Sequence, residues 1–244
     1  MKIAFLGTPD FVLPIQKTLA QHFTLTDSLK EADLAVVAAY GKILNKEELS
    51  APRYGAINVH PSLLPRYRGP SPIQAAILNG DSVSGITIIK LDAEVDHGPI
   101  IYQGSLELSS SDNFDTLSKK MFLRASEVLP KIIEDFVNNK IKPVPQNHSE
   151  ASFCPLLTRE SGYFDISNPS PPTQIDRMIR AYYPWPGVWC KWKMDNGQLK
   201  IIKFLPGGLL QMEGGKPTPW KVFLNNYPNF PVIQTETGAT ISAT

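Results

Sequence analysis

The chain has 244 residues, with 24 Lys and Arg against 23 Asp and Glu and a net charge of +1; it can bury a sizeable core, and no global charge excess demands a nucleic-acid partner. Its two cysteines, Cys154 and Cys190, are too few for a disulfide framework or a cysteine-rich zinc site and suit a reducing compartment, and no metal site is expected. No apolar run reaches a membrane span, and the chain opens directly on a core strand that leaves no room for a signal peptide, so a cytoplasmic protein is expected.

Lys2 to Gly7 reads as a buried strand. Thr8-Pro9-Asp10 then turns the chain into a helix whose apolar positions Phe11, Ile15 and Leu19 recur every four residues. Leu34 to Ala39 is a second uninterrupted apolar run, of the kind buried on both faces in a parallel sheet. A short strand from Ala56 to Val59, a helix over Pro72–Asn79 and a strand from Ser84 to Lys90 follow. Ser110 to Asn138 is the longest helical stretch, with Leu117, Met121, Ala125, Val128, Ile132 and Phe136 on one stripe and a kink expected at Pro130. Strands alternating with helices predict an α/β fold with an open, mostly parallel, Rossmann-like sheet. Ligands of such sheets sit beyond the carboxyl ends of the strands, where Thr8, Tyr40 and His60 fall. Neither a G-x-G-x-x-G turn nor a phosphate-cradling G-x-x-x-x-G-K loop is present, which argues against a nicotinamide or ATP enzyme.

Asn58 and His60 are two apart on a strand and so share a face. A carboxamide N–H and an imidazole can both stabilise the oxyanion that develops when an amine attacks a carbonyl. Asp96 lies one helix and one strand further on, enough chain for a crossover that returns it beside His60, where a carboxylate could keep the imidazole charged and relay the proton lost by the amine. His97 next to it has no assigned role.

From Ile141 to Pro172 the chain is rich in Pro, Ser and Asn and reads as a linker or domain edge, which divides it into 1–150 and 151–244. Beyond it come a short helix, Thr173 to Tyr182, and a strand, Trp189 to Met194, with Cys190, Trp192 and Met194 on one face and Trp189, Lys191 and Lys193 on the other. Lys200 and Lys203 flank another strand-like run. Arg177 to Lys203 contains six basic residues against one acidic residue, Asp195, a surface suited to a phosphate backbone or simply a solvated strand face.

Asn58-x-His60-x-Ser62-Leu63-Leu64-Pro65 followed by Asp96-x-Gly98-Pro99-Ile100 resembles the signature of folate-dependent formyltransferases. The supporting stretches are Gly7 to Phe11, Val37 to Leu44, Tyr67 to Gln74 and Arg180 to Pro186. The resemblance implies transfer of a formyl group from the co-substrate 10-formyltetrahydrofolate to the α-amine of methionine esterified on initiator tRNA, as an early step of protein synthesis. It places Asn58, His60 and Asp96 in the catalytic positions and Ser62, Leu63, Leu64 and Pro65, with Tyr40 and Gly41, in the folate-contacting ones. Thr8, Pro9, Asp10, Arg66, Arg68, Arg177, Arg180, Lys191 and Lys193 are the expected contacts to the substrate and its tRNA. It further implies a small C-terminal β-rich domain of OB-like type. Direct transfer is the expected mechanism, with no covalent enzyme intermediate and no metal required, and a monomer is expected.

Two stretches depart from the family pattern. Only Phe23 to Asp33 separates the first helix from the strand at Leu34, where family members fit a further strand, helix and strand with a basic loop that enters the tRNA acceptor stem. The later strands of the tail are reduced to Gly207–Gln211 before Glu213-Gly214-Gly215-Lys216-Pro217 resumes the match. Acceptors left open are therefore an amino-sugar nucleotide or glycinamide ribotide, and a folate- or RNA-binding protein without turnover is the alternative from another class.

Overall fold

Three runs of apolar residues set the centre of the main sheet. In the structure, a computed structural model that describes residues 1–231, β1 (Lys2–Gly7), β3 (Leu34–Ala38) and β4 (Ala56–His60) lie side by side and parallel. All five residues of β3 are buried, which requires cover on both faces and explains its unbroken Leu-Ala-Val-Val-Ala sequence. A two-residue strand β2 (Thr24–Leu25) pairs parallel with the outer side of β1, in the short stretch between the first helix and the strand at Leu34. On the other side β5 (Val83–Lys90) and β6 (Ile100–Glu107) add antiparallel, giving the order β2-β1-β3-β4-β5-β6. The sheet is thus parallel at three of its five pairings.

The antiparallel pairing of β4 with β5 corrects the expected crossover. The chain leaves β4, forms α3 (Pro72–Asn79) and re-enters the sheet in the opposite sense, His60 facing Thr87 and Ile57 facing Lys90. β6, absent from the sequence reading, then follows as the second arm of a hairpin.

The helices form where local signals and apolar spacing agree. A 3-10 turn at Asp10–Val12 leads into α1 (Leu13–His22), which has Pro14 in its first turn and buries Ile15 and Leu19. α2 (Lys46–Ser50) opens on a capping box in which Asn45 accepts from the Glu48 N–H and Glu48 accepts from the Asn45 N–H. α4 (Phe114–Val137) runs on through Pro130. Its buried residues include Leu117, Met121 and Ala125, then Leu129 and Ile133; the expected Val128, Ile132 and Phe136 are only half-buried.

Two units can be separated. The first holds residues Met1–Ala76, Asp81–Ser111 and Asp115–Leu156. The second holds Ile77–Gly80, Asp112–Phe114 and the chain from Leu157 onward; residues 232–244, the end of the expected second domain, lie outside the described residues. In the second unit α5 (Pro172–Tyr182) precedes an antiparallel sheet of order β10-β9-β8-β7, built from β7 (Val188–Lys193), β8 (Leu199–Leu205), β9 (Leu209–Met212) and β10 (Thr218–Pro219). α6 (Trp220–Asn226) buries Phe223, which meets Tyr227 and Phe230; those two rings in turn pack edge-on against Trp192 of β7. Among the described residues no helix is long and apolar enough to cross a membrane.

Candidate active site

Asn58 and His60 project from the same face of β4, as period-two alternation requires. The loop between β5 and β6 brings the third group back to them. Lys90 N–H donates to the Pro99 carbonyl and Leu91 N–H to the Ala56 carbonyl, so residues 91–99 leave and return at one end of the strand pair. Gly98 makes the close approach possible, since a Cβ there would collide with the Lys90 carbonyl oxygen. Within this loop Asp96 sits in the left-handed region, φ 49°, and is buried.

The three groups meet at one carboxylate. Asn58 Nδ2 donates to Asp96 Oδ1 at 3.2 Å, and His60 Nδ1 lies 3.5 Å from the same oxygen. Asp96 Oδ2 accepts from the Gly69 N–H at 2.8 Å. His60 is 3% exposed, and its Nε2 lies 2.9 Å from the Tyr67 carbonyl. A carbonyl only accepts, so Nε2 carries a proton and Nδ1 is the nitrogen turned to Asp96. Asn58 keeps its second N–H for another acceptor.

The turn Tyr67-Arg68-Gly69 therefore orients two members of the cluster at once. Its backbone is unusual: Tyr67 has φ 59° and Gly69 φ 111°, and a Cβ at Gly69 would strike the Cys154 carbonyl. Glycine is required there on both counts.

The folate-contacting candidates lie in the loop after β4, and their burial divides them. Ser62 is fully buried and Leu64 nearly so, whereas Leu63 and Pro65 are half-buried. Thr87 of β5 is the pin: its hydroxyl donates to the Ser62 carbonyl at 2.6 Å and accepts from the Leu64 N–H at 3.1 Å. Gln103 of β6 donates to the Leu64 carbonyl at 2.8 Å and to the Thr87 hydroxyl at 3.0 Å. Ser62 Oγ itself donates to the Arg66 carbonyl. The loop thus satisfies much of its own backbone and presents Leu63 and Pro65 as its apolar surface. Leu63 Cδ2 also lies over Gly85, within 2.6 Å of where a Cβ would stand.

At the ends of β1 and β3, Thr8 Oγ1 donates to the Tyr40 carbonyl at 3.3 Å, which brings those two candidates together. Tyr40 packs against the core cluster of Ala4, Ala35, Val37 and Leu44; Gly41 and Asp10 are exposed, and Pro9 is half-buried.

The basic candidates fall into two kinds. Arg66 stays half-exposed while reaching Asp81 at 3.2 Å and the Tyr67 hydroxyl at 2.8 Å. Arg68 is 4% exposed and donates to Gln146 Oε1 and to His148 Nδ1. An outward contact is closed to it because its guanidinium is turned into the protein. Arg180 pairs with Asp176 at 2.9 Å and donates to the Asp112 carbonyl, and Arg177 donates to the Asn79 carbonyl at 3.4 Å. Lys191 and Lys193 remain exposed on β7, opposite the buried Cys190 and Trp192. Their face continues through the cross-strand neighbours Ile201 and Lys203 of β8 to a hollow of about 190 Å³ that Arg159 and Gln211 help to line. Arg159 also stacks over Trp189, 5.3 Å from the ring centroid.

Sequence reasoning missed Gln146, Thr87 and Gln103, whose polar side chains sit among ordinary strand and linker residues, and the Gly69 N–H, which no side-chain motif announces. It also left His97 unassigned. In the structure His97 Nδ1 lies 2.7 Å from Asp92 Oδ2, and its ring stacks on His148 at 4.0 Å. Among the described residues no group of three or more His, Cys, Asp or Glu is placed to hold a metal ion.

Comparison with known proteins gives the chain a family. A formyl transferase model matches residues 16–133, and the formyl transferase C-terminal domain model matches 158–209. A methionyl-tRNA formyltransferase of Roseiflexus sp. is 44% identical over 170 residues, which is 70% of this chain and 51% of that protein. The chain spans 51% to 66% of the length of the first curated relatives it matches. Among solved structures, a methionyl-tRNA formyltransferase from Clostridium thermocellum superposes with a TM-score of 0.63 at 21% identity, covering 89% of this chain and 96% of that one. The formyltransferase PseJ from Anoxybacillus kamchatkensis, solved with a formamido sugar nucleotide and tetrahydrofolate, has a TM-score of 0.54 at 24% identity over 63% of this chain and 85% of its own. With both of its models matched along one sequence, the chain belongs to the formyl transferase family.

Proposed function

We propose that the protein transfers a formyl group from 10-formyltetrahydrofolate to the α-amine of methionyl-tRNA, with Asn58, His60 and Asp96 as the catalytic residues. The observation that carries the reading is the convergence of an amide N–H and an imidazole nitrogen on one buried carboxylate within 3.5 Å. The names of the relatives at 35% to 44% identity support the acceptor.

The chemistry follows from those contacts. The neutral amine attacks the formyl carbon, and the oxyanion that develops on the formyl oxygen is held by the free N–H of Asn58 and by His60 Nδ1. A ring donating from both nitrogens is an imidazolium, and Asp96 is the carboxylate that faces it. Asp96 takes the proton released by the amine, and the His60–Asp96 pair returns it to the donor nitrogen as the bond from that nitrogen to the formyl carbon breaks. 10-Formyltetrahydrofolate supplies the formyl group; Leu63 and Pro65 offer its ring an apolar face, and Tyr40 and Gly41 stand at the neighbouring strand end. The exposed face of Lys191 and Lys193 is the tRNA-binding surface, and Arg66 with Thr8, Pro9 and Asp10 borders the acceptor end. On this reading residues 1–150 form the catalytic domain and the remainder a linker and a reduced β domain, in a monomer that works in the cytoplasm.

The test offers the purified protein 10-formyltetrahydrofolate with methionylated initiator tRNA, glycinamide ribotide or an amino-sugar nucleotide. Formylation of the tRNA-bound methionine at the highest kcat/KM supports the proposal. Preference for either small amine overturns the acceptor, and donor binding without product overturns the reaction.

A further inference from the structure

The segment that the sequence marks as a linker grips the catalytic cluster from behind. Gln146 is buried, and its side-chain amide is fully used. Nε2 donates to the carbonyls of Asp96, at 2.9 Å, and Gly98, at 2.7 Å, while Oε1 accepts from Arg68 Nη2 at 2.7 Å and Nε at 3.2 Å. Two donors and two lone pairs exhaust the capacity of a carboxamide. The backbone nearby completes the attachment. Arg68 N–H donates to the Ser152 carbonyl and Cys154 N–H to the Arg68 carbonyl, and Tyr67 N–H donates to Ser152 Oγ.

Arg68 is the middle residue of the turn whose flanking groups bind His60 Nε2 and Asp96 Oδ2. One side chain therefore fixes both the left-handed backbone of Asp96 and the turn that aims its carboxylate. Left-handed backbone at a non-glycine residue persists only where its surroundings hold it. From this we infer that Gln146 is a positioning residue for formyl transfer, holding Asp96 against His60 by bonding the Asp96 carbonyl on one side and Arg68 on the other. The inference rests on the proposed transfer reaction and adds a residue to it.

The experiment compares initial rates of the protein and its variants with 10-formyltetrahydrofolate and the acceptor that the unaltered protein uses. Gln146→Leu removes all four hydrogen bonds and is expected to lower kcat about 10²-fold, the scale of a reacting group displaced by roughly 1 Å, with the donor KM changed less than about 2-fold. Gln146→Glu keeps the volume and the bond to Arg68 but turns an acceptor toward two carbonyls, so it too is expected to lose kcat; a residue needed only to anchor Arg68 would be rescued by it. In an Asp96→Asn background Gln146→Leu is expected to add less than about a 2-fold further loss, because its effect passes through Asp96. Thermal unfolding is followed for each variant, and if Gln146→Leu gives no cooperative transition the comparison rests on Gln146→Glu. Unaltered kcat in the folded variants, or a full additional loss on top of Asp96→Asn, overturns the positioning role while leaving the transfer reaction standing. Absence of transfer to any acceptor by the unaltered protein overturns the reaction and this inference with it.

Discussion

The cluster of Asn58, His60 and Asp96, proposed as catalytic, and the basic face of the small sheet use polar groups in opposite ways. Around Asp96 nearly every donor has an acceptor inside the protein: Gly69 N–H, Asn58 Nδ2, His60 Nε2 and the Gln146 amide are all engaged at 3.2 Å or less. On β7 the ammonium groups of Lys191 and Lys193 stand in solvent with the half-buried Trp189 beside them. The first arrangement is preorganised, and its worth lies in geometry fixed before a substrate arrives. The second is adaptable: exposed lysines contribute long-range attraction and salt-dependent binding without a fixed geometry. Substitutions should therefore change the rate of transfer in one region and the salt dependence of binding in the other.

The largest effect is expected within the cluster. Asn58→Ala should lower kcat on the order of 10²-fold or more, as loss of an oxyanion donor does, and Asp96→Asn should cost about 10²–10⁴-fold by removing the proton acceptor. Steady-state rates at saturating donor measure both, and unchanged kcat in either would dissolve the contrast between the regions. A smaller effect is expected behind the loop after β4. Thr87→Val preserves shape but deletes the hydroxyl that serves Ser62, Leu64 and Gln103, and should destabilise the fold by about 1–3 kcal/mol through groups left buried without partners, read from denaturant midpoints. On the small sheet, Lys191→Ala with Lys193→Ala should flatten the slope of log K against log salt for tRNA by at most about two units and leave donor binding alone. An identical slope would remove that face from the interface.

The mildest test concerns Cys190, buried under the same sheet, whose thiol is pushed up to about 12 by burial and the nearby Asp165 carboxylate. An unfolded thiol ionises near its ordinary value of 9.0, so above that pH the unfolded state binds fewer protons than the folded one. The stabilisation is complete below pH 9 and is lost as pH rises toward 12, with a slope no steeper than about 1.4 kcal/mol per pH unit for one proton. Denaturant titrations across pH 8–10.5 should show this decline, and Cys190→Ala should make it shallower.

Much of the sheet was legible from sequence because its strands are continuous and apolar. Leu34–Ala38 could hardly be anything else, and Pro72–Asn79 is bounded by clear signals at both ends. β6 was missed because Ile100–Glu107 alternates half-exposed residues around Gln103 and Gly104, and β2 because two residues carry no pattern. Periodicity also could not report the sense of β5, which depends on where α3 leaves the chain rather than on any residue in the strand. In the candidate site, residue types announced Asn58, His60 and Asp96, since their chemistry resides in side chains. What holds them was hidden for the opposite reason. Gly69 acts through its N–H, Tyr67 through its carbonyl, and Gln146 from a proline-rich stretch that looks like a linker. Burial likewise separates Arg68 from Lys191, a distinction that charge counting cannot make.

The central claim, that this cluster passes a formyl group directly from donor to amine, is tested most directly by a rapid-quench single turnover with 10-formyltetrahydrofolate labelled in its formyl carbon. The account predicts that label appears on the acceptor amine as fast as it leaves the donor and that no acid-stable label accumulates on the protein. Formylated protein forming ahead of product, or donor consumed without a formylated amine, would contradict it.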